Sequence, residues 1–226
     1  NSTMQSLRLV LNRHQWSPVT NAVTNGIRQG ECRVGKLILC IIWDDENRMI
    51  RPQHEDLRLR AAAAEELVEA LALAIQLDNN PSLTTLEIQF PEGSNIGIPA
   101  AANLASALTA NRTLCEVSLA SANFVADSYD AFSTMLSVNT GVVLILPELS
   151  IPTEENLENS YTRMEIEQRL NLAGRGRPLS PNNTARQAWL HVLNAIQIDN
   201  GDHDGDHFQL SCLYKLIRDD PTMTIT

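Results

Sequence analysis

Apolar and polar residues alternate in short bursts along this chain, and helically spaced stretches separate the bursts. Leu7, Leu9 and Leu11 alternate with Arg8 and Val10, the period-2 signature of a strand with one buried face. Lys36–Trp43 predicts a second strand, with Leu39 placed 30 residues after Leu9. Leu83, Leu86 and Ile88 make a third burst, and Leu114, Val117 and Leu119 repeat it 31 residues further on. Gly141–Leu146 is the fifth, carried by Val142, Leu144 and Leu146; its pairing slips relative to the others and Pro147 stops it.

The intervening stretches predict helices. Pro18 opens a weak one with Val19, Val23 and Ile27 on one face and Gly30 as its stop. Leu57–Leu77 is the longest: Ala61–Ala64 has high helix propensity, and Leu67, Leu71 and Ile75 give a buried stripe. Ala100–Leu108, Ala126–Val138 and Glu154–Leu172 follow, the last with Leu157, Tyr161, Met164 and Leu170 as its apolar residues. Asp44–Glu55 is a polar insertion, which stretches Leu39 to Leu86 to 47 residues. A strand–helix unit recurring at about thirty residues is the mark of a solenoid, and insertions in solenoids emerge as loops.

Each of the two clearest copies opens on an asparagine: Asn80 before Leu83, Leu86 and Ile88, and Asn111 before Leu114, Val117 and Leu119, with Asn123 at the following turn. From Leu57 to Leu146 this resembles the leucine-rich repeat family in its ribonuclease-inhibitor-like form. The resemblance implies an α/β fold: a curved solenoid of about five strand–helix units over residues 1–172, parallel sheet inside and helices outside. Residues 173–226 are then a loop plus C-terminal helices, a degenerate repeat or cap. It also implies a protein-binding scaffold with no cofactor and no catalytic residues, whose partner lies on the concave face.

Alternation names that face. With the leucine rows turned inward, the outward residues are Arg8 and Val10, Ile38, Cys40 and Ile42, Thr85, Glu87 and Gln89, Glu116 and Ser118, then Val143 and Ile145. Ile38, Cys40 and Ile42 are apolar for an exposed strand. Either the Asp44–Glu55 insertion or a neighbouring chain segment covers them, or a partner does.

Hydrophobic residues make up 43% of the chain and aromatics only 4%, so aliphatic layers must fill the core. The formal charge of −10 repels phosphate backbones and argues against nucleic-acid binding. No apolar run spans a bilayer. The four cysteines, Cys32, Cys40, Cys115 and Cys212, form no C-x-x-C pair, which points to a reduced, cytoplasmic setting. Sequons at Asn1, Asn111 and Asn182 are read as chance, Asn111 being the repeat's own asparagine.

Two alternatives accompany the scaffold reading. Asn200–Gly205 partly fits a calcium loop, but its twelfth position is Ser211 and the bidentate glutamate is missing. Asp202, Asp204 and Asp206, with His207, are the metal candidates; a solvated acidic loop is the plain reading, and calorimetry with calcium or zinc separates the two. Met164–Pro178 loosely resembles, in character, the helix–loop that ends the short repeat of tropomodulin-like proteins, which implies a cytoskeletal partner. Repeats of this kind also occur in secreted bacterial effectors and immune receptors. No phosphate-binding glycine loop or nucleophile–base constellation is present.

Overall fold

The computed structural model describes residues 4–12, 16–29, 33–42, 54–76, 82–147, 155–172, 211–212, 214–215 and 218. Strands and helices alternate along it: β1 (Met4–Leu11), α1 (Trp16–Arg28), β2 (Val34–Ile41), α2 (His54–Gln76), β3 (Thr85–Asn95), α3 (Ile98–Ala110), β4 (Glu116–Asn123), α4 (Ala126–Val138), β5 (Val143–Ile145) and α5 (Glu155–Leu172). Among the described residues the strands form one parallel sheet in the order β1-β2-β3-β4-β5. Every crossover returns beside the strand it left, so the order of the chain is the order of the sheet.

The helices lie in one layer, each against the next: α1 on α2, α2 on α3, α3 on α4 and α4 on α5. They cover a single face of the sheet. Leu37, Leu39, Leu86, Ile88, Val117, Leu119 and Leu144 are all 0–1% exposed there. They interdigitate with Leu67, Leu71, Leu104, Leu108, Phe132 and Leu136 from the helices. Each such aliphatic side chain contributes about 1.5–3 kcal/mol by leaving water. Aromatics gather late: Phe124 meets Phe132 edge to face at 5.4 Å, and Tyr129 meets Tyr161 at 5.4 Å, joining α4 to α5.

Asparagines tie the layers together behind the core. Asn139 Nδ2 donates to the carbonyls of Leu108 (2.6 Å) and Asn111 (2.8 Å), and its Oδ1 accepts from Gly141 N–H. Asn171 Nδ2 donates to the matching carbonyls one unit on, Leu136 (2.9 Å) and Asn139 (3.3 Å). Asn111 Oδ1 accepts from the N–H groups of Thr113 and Leu114. All three are buried, so these bonds satisfy carbonyls that a helix end otherwise leaves without partners. A related cross-layer bond serves α3: Gly97 N–H, at its N-cap, donates to Glu65 Oε1 on α2 at 2.9 Å.

Several expectations need correction. Leu9 pairs with Leu39 as expected, but Leu39 faces Ile88 and Leu37 faces Leu86. The long unit therefore runs 49 residues, not 47, from Leu37 to Leu86. The fifth strand shrinks to Val143–Ile145. β3 runs on through Pro91 and Gly93 to Asn95, with an irregularity between Gln89 and Ser94. His54 and Glu55, assigned to the insertion, begin α2. The rest of that insertion, the 173–184 loop and the helix expected after Thr184 lie outside the described residues. Ser211, Cys212, Tyr214, Lys215 and Arg218 are helical.

Candidate functional site

Neighbouring side chains on a strand point to opposite faces. Sealing the leucine rows under the helices therefore leaves the alternate rows on the other face. The register sets them in three lines. Ser6, Lys36, Thr85, Glu116 and Val143 form the first; Arg8, Ile38, Glu87, Ser118 and Ile145 the second; Val10, Cys40, Gln89 and Ala120 the third. Ile42 lies just past the end of β2, where its N–H donates to Leu11 O at 2.8 Å. The residues read from alternation thus come together on one sheet face, about 19 Å across from β1 to β5 at the usual strand spacing.

Their exposure is uneven. Val10 is 52% exposed, Ile42 47% and Ile145 43%, so aliphatic side chains stand open at both ends of the face. Ile38 is half-buried. Cys40 is buried although it points away from the helices, and Arg8 Nε donates to its Sγ at 3.3 Å. The apolar triplet of β2 is therefore neither wholly core nor wholly surface.

The charges on the face sit mostly at its middle. Lys36 Nζ lies 3.1 Å from Glu87 Oε2, with both side chains more than a third exposed. Such a surface pair adds at most about 1 kcal/mol, and it leaves the centre close to neutral. Arg8 and Glu116 form no ion pair with any described residue.

Where β1, β2 and β3 end, the face dips into a hollow of about 400 Å³. Arg8, Val10, Cys40, Ile42 and Gln89 line it from the outward set, joined by Ile41, Arg60, Phe90 and Pro91. Arg60 was not among the expected residues. Its signal is nevertheless in the sequence: it stands four residues before Ala64 on the stripe that Leu67 and Leu71 continue, so α2 carries it inward, where it is 7% exposed.

A second hollow, of about 610 Å³, lies between α4, α5 and the residues Ser211, Tyr214, Lys215 and Arg218, with Arg163, Lys215 and Arg218 on its walls. Its cations are engaged. Lys215 Nζ is 2.8 Å from the buried Glu167, and Arg163 is 3.8 Å from Asp130. Cys212 is buried nearby, and burial pushes its thiol up to about 11; Arg169 pulls it down, while Glu165 and Glu167 push it further up. The thiol stays protonated near neutral pH, so it is not primed as a nucleophile. Through Lys215 and Glu167 this seam ties the described helical residues of the C-terminal part to α5.

The metal candidates Asp202, Asp204, Asp206 and His207 lie outside the described residues. Among the described residues, no three His, Cys, Asp or Glu side chains come together to hold a metal ion. No described helix is long and apolar enough to cross a membrane. The chain matches no protein-family model and no curated protein.

Proposed function

We propose that the chain is a leucine-rich-repeat scaffold that binds a protein partner on its open sheet face and performs no chemistry there. The observation that carries this is the asymmetry of the sheet. One face is sealed to 0–1% exposure, while the other presents Val10, Ile42 and Ile145 at 43–52% around a near-neutral polar centre. Exposed aliphatics framing polar groups mark contact surfaces. The strands beneath are fixed by parallel pairing, so a partner binds with little ordering cost. The repeat reading is supported by the sequential strand order, the single helix layer and the matched asparagine bonds of Asn139 and Asn171.

The test is affinity capture with mass spectrometry on four immobilised forms: wild type, Ile42→Asp, Ile145→Asp and Leu73→Asp. Leu73 is 54% exposed on α2, in the helical layer. Proteins enriched on wild type and Leu73→Asp should be lost from Ile42→Asp and Ile145→Asp. All four should melt within about 2 °C of each other, as surface substitutions do. Capture unaffected by the face variants defeats the proposal, as does a large fall in melting temperature for Ile42→Asp.

A further inference from the structure

We infer that the open face selects its partner by the order of charges along an extended segment crossing the strands. That segment carries an acidic side chain over β1, a basic one over β4 and an aliphatic one on Ile145. This rests on the docking reading above and specifies the partner's chemistry. The three outward rows hold four charged residues, sorted by sign across the sheet. The cations Arg8 and Lys36 stand on β1 and β2, the anions Glu87 and Glu116 on β3 and β4. Lys36 and Glu87 neutralise each other at 3.1 Å. Arg8 and Glu116 form no ion pair with any described residue. They stand as a cation and an anion on either side of a self-paired centre. A segment with the opposite order is attracted at both ends, and one with the same order is repelled at both.

Spacing turns this order into a sequence pattern. β1 and β4 lie three strand spacings apart, about 14 Å, and Arg8 and Glu116 differ by one row, about 7 Å along the strands. Their backbones are therefore about 16 Å apart. Residues four apart on one side of an extended chain span about 13–14 Å, and two long charged side chains reach the rest. Two residues beyond the base, an aliphatic side chain falls over β5, where Ile145 is 43% exposed. Arg8 is exposed, and Nε donating to Cys40 Sγ at 3.3 Å fixes its guanidinium plane for a carboxylate. The middle of the face argues for an extended chain over a helix. Thr85, Gln89 and Ser118 point outward there, and their side chains make no hydrogen bond with any described residue. An extended segment brings backbone N–H and C=O groups for them to pair with. A helix has already paired its own along its length.

The experiment pans random twelve-residue displayed peptides against wild type and against the double reversal Arg8→Glu with Glu116→Arg. Arg8→Gln and Glu116→Gln are made as milder single variants, which carry the couplings below even where the double reversal melts lower. Wild type should enrich an acid and a base four residues apart, with Leu, Ile or Val two residues outside the base. The double reversal should put that aliphatic residue outside the acid instead. A synthetic wild-type peptide should bind at least tenfold more weakly when its acid becomes the amide. Arg8→Gln should cause a similar loss, and the two changes together should cost no more than one alone. The peptide's base should couple in the same way to Glu116→Gln and not to Arg8→Gln. Losses that simply add, or a consensus unchanged on a folded double reversal, overturn the inference. Peptides that depend on Ile145 but on neither charge overturn it while sparing the docking face. A library that yields no binder to wild type overturns both.

Discussion

Buried amides and one buried phenol give the sharpest tests at the scale of single residues. Asn139→Ala removes three bonds at once and leaves the carbonyls of Leu108 and Asn111 and the N–H of Gly141 without partners. An orphaned buried group costs about 1–3 kcal/mol, so a loss of about 2–4 kcal/mol is expected in urea unfolding. Asn139→Asp should do no better, because a carboxylate has nothing to donate. Tyr129 is 2% exposed, and its phenol is pushed up to about 12, first by burial and then by Tyr161. The folded state thus holds this proton when the unfolded chain, with an ordinary value near 10, has released it. Tyr129's contribution to stability is full below pH 10 and fades as pH rises from about 10 to about 12. Ultraviolet titration of tyrosinate should show the Tyr129 transition delayed until unfolding. Sequence alone singled out Asn111, which is buried at 4% exposure with its Oδ1 accepting from two backbone N–H groups. Asn171 was not foreseen. Its partners sit 32 and 35 residues back, and α5 reads in sequence only as an amphipathic helix.

At the scale of elements, the strands and helices were legible because periods of 2 and 3.6 are local properties. α4 matches its expected bounds, Ala126–Val138. The β2–β3 register was not legible, for a reason built into strands. A slip of two residues keeps every side chain on its own face, so Leu37 and Leu39 serve equally well as a partner for Leu86. The length of β3 was hidden too. Pro91 and Gly93 are residue types that usually interrupt strands, but Gly93 takes a φ of 79° and Ser94 Oγ donates to Pro91 O at 2.7 Å, so the strand resumes past the irregularity. The outward face followed from alternation, whereas the hollow needed Arg60 from a different element. Position in the sheet should also grade the cost of truncation. Leu86→Ala, at 0% exposure between two strands, should lose about 3–5 kcal/mol. Leu7→Ala should lose about half that or less, since Leu7 is only partly buried on a strand with one neighbour. Equal losses in chemical unfolding would contradict the sheet order.

For the whole molecule, the asparagine bonds have a consequence for how the protein comes apart. On the proposed repeat reading, stability is a sum of strand–helix units plus the joints between them. Asn139 and Asn171 would be such joints, each bonding to carbonyls at the end of the preceding helix. Cutting the Asn139 joint should do more than lower a midpoint. It should let the α4–α5 end melt separately from the β1–α3 body, turning one sigmoid into two and giving the two blocks different amide-exchange rates.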